Sequence, residues 1–149
     1  MKLSEYITKE EVGRVCQELK LRDWTKLRSA KVLPREAKVI LAEVNAEKMR
    51  IDLEEFRKGM EVELEHGIRF EDANVTNNHP ILTGMIVIAH LKESLDYYKL
   101  LEVAELEGDL LKAVAAGNIR KIRTEYKKLA EAKIALAKAE AARITQQAR

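Results

Sequence analysis

The scarcity of residues that interrupt helices is the feature that most constrains the fold of this 149-residue chain. It contains only two prolines and six glycines, and aromatic residues make up 5% of it. Sheet proteins need frequent turns and are rich in aromatic and β-branched residues, so this composition favours long helices. The length is that of one ordinary domain. We therefore predict an all-α fold, a helical bundle that ends in a long C-terminal helix.

Helix-start signals and apolar spacing place the individual helices. Thr8 and Glu11 form a capping box at the start of a first helix, and Pro34 and Pro80 suit the first turns of two others. Glycines and an Asn-rich stretch mark the predicted ends. The predicted helices cover about residues 9–20, a segment that begins at Pro34, and a segment from residue 51 or 52 to His66 with Gly67 as its stop. Two more cover about 80–93 and about 95–107, the latter ending before Gly108. A last helix begins at Ile119.

The last helix carries an apolar seam with steps of three, four and three residues, which is the spacing of helix–helix contacts. About 30 helical residues reach about 45 Å, which is too long to be buried entirely against so small a domain. We expect its last third to project, to pack on another subunit or to fray. The seam begins Ile119, Ile122, Tyr126, Leu129 and continues Lys133, Leu136, Glu140, Arg143.

Charge is distributed unevenly, although the net charge is only +2. Residues 1–50 carry +4, residues 51–107 carry −8 and residues 118–149 carry +6. This pattern favours self-association or docking to charged partners over bulk nucleic-acid binding, so we expect a homo-oligomer or other protein subunits as partners. Five basic residues near the start of the last helix have three alternative interpretations: a solvated helix face, a partner contact or, with less support, a nucleic-acid contact. They are Arg120, Lys121, Arg123, Lys127 and Lys128.

Several classes of protein are disfavoured. The most apolar stretch, residues 81–89, has nine residues, whereas a membrane span needs about 20. The N-terminus lacks the apolar region of a secretory signal. Cys16 is the only cysteine, so zinc sites of the Cys₂His₂ or Cys₄ type are excluded, and it is expected to be a small buried hydrophobe. We predict a cytoplasmic or virion protein, neither secreted nor transmembrane, without a membrane partner.

One glutamate of the VELEH segment is predicted to point into the core. On a helical wheel Glu63 falls about 20° from Phe56 in the apolar stripe, whereas Glu61 and Glu65 fall on the opposite, solvated side. A buried carboxylate without a partner costs several kcal/mol. Glu63 therefore needs a cation, a hydrogen-bond donor or a metal ion.

The following predicted helix offers partners for Glu63, because His90, Glu93 and Tyr97 recur at spacings of three and four. The favoured interpretation is a buried hydrogen-bonded network in which Glu63 accepts from His90 or Tyr97, with no cofactor. The first alternative is a site for iron, manganese or zinc, because helix bundles hold such ions with Glu/His pairs, although the further glutamates of those sites are missing. Its ligands would be Glu63, His66, His90 and Glu93.

A catalytic site is the second alternative, and it has less support. The chain has no Gly-rich phosphate loop, no HExxH and no GxSxG motif, so we expect a protein that is not an enzyme. His79, which precedes Pro80, is expected to be an exposed loop residue.

Several motifs together resemble an uncharacterised family of small domains from bacteria, archaea and tailed phages, whose function is not established. They are VELEHG at 62–67, NVTN at 74–77, TG at 83–84 and AHLxExxDYY at 89–98. The resemblance covers about residues 6–105 and implies an inserted helix at about 27–50 and an added tail at 108–149. The four candidate ligands match the family pattern. Where the family tends to have two acidic residues before the proline, this chain has Asn78 and His79.

These observations predict a helical-bundle domain over residues 1–117 and a long basic helix over residues 118–149. The function they favour is that of a non-enzymatic structural module, a component of a phage virion or another prokaryotic assembly that acts through subunit–subunit contacts. The alternative is a metal-binding helical-bundle domain that uses the Glu/His cluster.

Overall fold

A computed structural model describes the backbone of residues 7–147 and the side chains of residues 7–145. Over this range the chain forms six α-helices, two short 3₁₀ turns and no strand, which confirms the all-α prediction. No helix within the described residues is long and apolar enough to cross a bilayer. The helices are α1 (Lys9–Glu18), α2 (Pro34–Val44), α3 (Leu53–Arg69), α4 (Pro80–Glu93), α5 (Tyr97–Ala115) and α6 (Ile119–Gln147), and the 3₁₀ turns are Trp24–Lys26 and Glu71–Ala73.

The helices begin where side chains or prolines satisfy their first turns. The Thr8 hydroxyl accepts a hydrogen bond from the Glu11 N–H at 3.2 Å, as the capping box predicts. Asp52 accepts from the Glu54 and Glu55 N–H groups and starts α3. Pro34 and Pro80 each occupy the first position of a helix, where no N–H donor is needed.

Two predicted helix ends are wrong. The third helix continues through Gly67 to Arg69, and the fifth continues through Gly108 to Ala115. Glycine weakens a helix interior by only about 1 kcal/mol, so flanking turns that pack well override it. Gly67 has a packing role, because a β-carbon there would lie 2.2 Å from the Asn78 Oδ1 atom.

The chain divides into two compact units, with unit 1 ending at Lys92 and unit 2 beginning at Glu93. The predicted division after residue 117 stays a prediction. Unit 1 has a core of side chains that are at most 2% exposed, and each large one contributes about 1.5–3 kcal/mol by leaving water. This core comprises Val12, Cys16, Trp24, Val32, Ala37, Ile40, Phe56, Met60, Leu64, Val87 and Leu91.

A fully buried carboxylate ties the segment between α1 and α2 to unit 1. The Glu36 side chain accepts hydrogen bonds from Arg22 Nη2 at 2.7 Å, from Arg22 Nε at 3.0 Å and from the N–H groups of Arg22 and Leu33. Burial alone would raise the pKa of Glu36, but these hydrogen bonds together outweigh it and lower the pKa below the ordinary value of 4.5. Glu36 therefore stays charged in the folded protein.

A close approach joins α4 to α2 within unit 1. A β-carbon on Gly84 would lie 2.6 Å from Cγ2 of Ile40 and 3.3 Å from Cγ1 of Val44. Real β-carbon contacts are longer, so only glycine fits this position without displacing its neighbours. The TG motif thus marks the point where two helices touch.

Unit 2 is a helical hairpin of α5 and α6. Gly117 adopts a left-handed conformation with φ +62°, and its N–H and that of Asn118 bond to the carbonyl groups of Val114 and Ala113. This arrangement is the glycine-terminated helix end known as the Schellman motif. Asn118 then caps α6 by accepting from the Lys121 N–H at 3.0 Å.

The far end of the hairpin is closed by an ion pair. Arg143 Nη2 lies 2.6 Å from Oδ2 of Asp96, whose side chain is 7% exposed. The last third of α6 therefore packs against the start of α5 in its own chain. This corrects the expectation that it projects or frays, whereas packing on another subunit stays a prediction.

Candidate functional site

The predicted inward glutamate meets the predicted histidine within unit 1. Glu63 on α3 is 15% exposed and His90 on α4 is 29% exposed, and Oε1 of Glu63 lies 3.5 Å from Nε2 of His90. This confirms that Glu63 turns away from solvent towards position 90. The contact joins α3 to α4, and the hydrogen-bonded network around it stays a prediction.

The other candidate ligands do not complete a metal site. His66 is exposed in the last turns of α3, and Glu93 is exposed as the final residue of α4. Tyr97 begins α5, in unit 2, and its ring packs edge-on against Tyr98 at 5.2 Å. Among the residues the structure describes, no group of three or more His, Cys, Asp or Glu side chains is arranged to hold a metal ion.

His79 is not the exposed loop residue that the sequence suggested, because it is 7% exposed. Its Nδ1 accepts from the N–H groups of Ile81 and Leu82 at 3.2 and 3.3 Å, so the imidazole caps α4. Burial lowers the pKa of His79 below its ordinary value of 6.5, which favours the neutral ring that capping requires. The signal for this role was its position immediately before a proline that begins a helix.

Glu61 was expected on the solvated side of α3, and this is also wrong. Its side chain is 29% exposed, pairs with Arg57 at 2.6 Å and accepts from the Val32 N–H at 3.0 Å. The segment before α2 packs over this side of α3, which the helical wheel of α3 alone cannot show. Glu65 is 62% exposed, as predicted.

The five basic residues of α6 are all exposed. Lys128 contacts Glu125 at 3.3 Å and Lys127 approaches Glu131 at 3.9 Å, so two of them have acidic neighbours on their own helix. Such exposed pairs contribute about 0–1 kcal/mol. Tyr126, between them in sequence, is 66% exposed.

The predicted seam of α6 divides into two stripes. Ile122, Leu129, Leu136 and Arg143 are covered or half-covered and lie on the side that packs against α5. The alternate seam positions, starting with Ile119, are exposed. Helix α5 contacts α6 on the side of Ile122 and Leu129, about 60–80° around the helix from Ile119, so the second stripe is left open.

The open stripe of α6 is apolar over most of its length. At 100° per residue, its five members fall within about 20° of a common line along the helix, and all are exposed. Ile119 is 62% exposed and Ile144 is 69% exposed. The stripe comprises Ile119, Tyr126, Ala130, Ala137 and Ile144, with Arg123 and Lys133 beside it.

Helix α5 has a matching open stripe with steps of four, three, four and three residues. Leu111 is 70% exposed, Val114 is 54% exposed and Leu100 is 45% exposed. The side of α5 that packs on α6 lies about 100° away and includes the buried Ala113. The stripe comprises Leu100, Ala104, Glu107, Leu111 and Val114.

The two stripes lie on the same side of the hairpin. In each helix the stripe is rotated in the same sense from the packed side, and in antiparallel helices this brings both to one face. The ion pair between Glu107 of the α5 stripe and Lys133 beside the α6 stripe, at 2.7 Å, spans that face. We call this surface, formed by the two stripes, the open face.

The geometry defines an all-α protein in which a compact helical unit is joined to a hairpin with an apolar open face. The chain belongs to the family described as "Protein of unknown function (DUF5661)", whose family model matches residues 12–107. This confirms membership of an uncharacterised family. No curated protein and no solved structure matches the chain. Glu63 and His90 lie inside the matched region, whereas the last eight residues of α5 and all of α6 lie beyond it.

Proposed function

We propose that this protein is a non-enzymatic helical assembly module that associates through the open face of unit 2. Its setting would be a phage virion or another prokaryotic assembly, as the motif resemblance suggests. The observation that carries the proposal is the divided seam of α6. Half of a heptad-like pattern is packed within the chain. The other half is exposed, and its apolar members Ile119 and Tyr126 continue into Ala130, Ala137 and Ile144 on the open face.

The exposure of the open face is unusual for a surface that stays in water. Soluble monomers rarely expose contiguous apolar patches larger than a few hundred Å², and larger ones mark interaction sites. Leu111, Tyr126 and Ile144 are each about two-thirds exposed, yet they follow a regular spacing on two neighbouring helices. Isolated exposed apolar residues are common, but this regular arrangement is typical of helix–helix contacts.

The Glu63–His90 pair supports a structural role rather than chemistry of its own. It links α3 and α4 through partly exposed side chains. A carboxylate and an imidazole supply two metal ligands, whereas structural and catalytic sites use three or four protein ligands. We therefore propose that the Glu63–His90 pair stabilises unit 1 and that association with a partner occurs through the open face of unit 2.

Sedimentation velocity of the full chain over micromolar concentrations tests the proposal. We expect a species larger than the 17.0 kDa monomer. Leu111→Glu, which places a charge in the open face, should convert it to monomer without unfolding it, because Leu111 is 70% exposed. The matched control Ala135→Glu changes an exposed residue of α6 on the side away from the open face and should leave the oligomer intact.

Two results would contradict this function. One is a monomer at every concentration, and the other is an oligomer that Leu111→Glu leaves unchanged. The virion or prokaryotic setting has its own test in the genes that flank the coding sequence. Capsid and tail genes would support it, and neighbours unrelated to any assembly would remove its basis.

A further inference from the structure

We propose that the partner of the open face is a second copy of the same chain, arranged so that α5 of each copy packs on α6 of the other. The result is an antiparallel four-helix bundle with a two-fold axis parallel to the helices. This inference rests on the proposed function and adds the identity of the partner and the orientation of the two copies.

Charge selects this arrangement over the alternative two-fold packing. Helix α5 has two lysines and four carboxylates, a net charge of −2, and α6 has eight basic and three acidic residues, a net charge of +5. Packing α5 on α6 of the other copy brings opposite charges together twice. Packing α5 on α5 places the two α6 helices, each at +5, against each other.

The centre of the open face fits the same orientation. Glu107 and Lys133 form an ion pair midway along the hairpin, with apolar residues above and below it. In the proposed packing, Glu107 of each copy lies opposite Lys133 of the other. The two pairs then form a closed group of four alternating charges, in which no carboxylate is buried against another carboxylate.

The area of the open face is sufficient for a specific dimer. The 19 residues of α5 span about 28 Å, and two adjacent helices present a width of about 20 Å, giving about 560 Å² per copy. Specific interfaces bury at least about 1,000 Å² over both partners. Two copies of the open face therefore meet this requirement without any contribution from unit 1.

Nucleic acid fits the open face less well than a second copy does. Arg123 and Lys133 border the face, but its apolar residues offer no phosphate contacts. Tyr126 is the one aromatic ring on the face that could stack on a base. Oligonucleotide binding is therefore an outcome of the test rather than the proposal.

The first experiment reverses the central charges one at a time. Glu107→Lys alone and Lys133→Glu alone each place four like charges at the centre of a homodimer, so each should weaken dimerisation at least about tenfold by sedimentation equilibrium. A 1:1 mixture of the two variants places opposite charges across the interface at both central contacts and should form a heterodimer. The control Lys121→Glu makes the same charge change on the opposite side of α6 and should dimerise like the wild type.

The second experiment distinguishes the two orientations by oxidative cross-linking. In the proposed bundle the two copies of position 107 lie diagonally apart, so Glu107→Cys should not cross-link to itself. It should cross-link to a Lys133→Cys copy when the two are mixed. The native Cys16 is 1% exposed and does not compete.

The outcomes separate this inference from the proposed function. An oligomer in which Glu107→Cys cross-links to itself, or in which the charge variants do not recombine, overturns the orientation and leaves the assembly function standing. A monomer at all concentrations overturns both. A monomer that binds a single-stranded oligonucleotide, with binding lost in Tyr126→Ala, replaces both with a nucleic-acid function.

Discussion

Substitution of Gly84 by alanine measures how closely α4 packs on α2. The added β-carbon would lie 2.6 Å from Cγ2 of Ile40, about 1 Å inside ordinary contact distance. Ile40 is fully buried and cannot swing its methyl group into solvent. Val44 lies 3.3 Å away on the same helix, so α2 must shift or Ile40 must change its rotamer.

The change in the stability of unit 1 on Gly84→Ala follows from two opposing effects. Overpacking of this kind costs about 1–3 kcal/mol, and replacing glycine by alanine in a helix interior returns about 1 kcal/mol. We expect Gly84→Ala to destabilise unit 1 by about 0–2 kcal/mol. Gly13, inside α1, is the matched control, because a β-carbon there meets no atom within 4 Å. Gly13→Ala should stabilise by about 0.5–1 kcal/mol.

The difference between the two variants isolates the packing contribution. It should be about 1–3 kcal/mol in the free energy of unfolding. Urea titration followed by tryptophan fluorescence is suited to this measurement, because Trp24 is the only tryptophan and is fully buried in unit 1. If Gly84→Ala is as stabilising as Gly13→Ala, α4 does not approach α2 as described and the reasoning is refuted.

The remaining predictions also concern unit 1. Because the pKa of His79 is lowered in the folded state, the unfolded chain takes up a proton first as pH falls, so stability should be complete above about 6.5 and decrease below it. His79→Asn retains a capping oxygen, so it should reduce the difference in the free energy of unfolding between pH 7 and pH 5, measured by urea titration. An unchanged difference would contradict the capping role. Glu36→Gln should cost about 3 kcal/mol in the same assay, since it leaves the guanidinium of Arg22, 32% exposed, without its carboxylate. The control Glu43→Gln, exposed on the same helix, should change stability by less than about 0.5 kcal/mol, and equal effects of the two would show that the buried pair contributes nothing.

Features encoded in neighbouring residues could be predicted from the sequence. The starts at Thr8, Pro34 and Pro80 follow from local capping chemistry, and the structure confirms them. The orientation of Glu63 follows from the 3.6-residue period of one helix, and a histidine one helix later is a natural partner. Local signals and one amphipathic period therefore account for the fold class and the central contact.

Features that depend on two distant segments were missed or misjudged. Glu36 is buried because Arg22 folds over it from a loop, and nothing in the sequence near Glu36 alone indicates that loop's path. Glu61 is partly covered by the chain at Val32 for the same reason. Gly67 was read as a helix end, although it is a contact point for Asn78 inside a helix.

The sequence of α6 alone also could not predict which half of its seam is covered. A seam with alternating steps of three and four residues indicates helix contacts but not how many helices supply them. Tyr126 and Leu129 are equivalent in the pattern, yet one is 66% exposed and the other 7%. Only the position of α5 determines which of the two is covered.

The ion pair between Asp96 and Arg143 limits how far α6 can be truncated. The carboxylate of Asp96 is 7% exposed, and its closest cation is supplied from 47 positions later in the chain. A truncation before Arg143 would remove that guanidinium and leave a buried carboxylate with Lys99 at 4.0 Å. The last turns of α6 thus hold the beginning of α5 in place. An affinity tag should follow these turns and should not replace them.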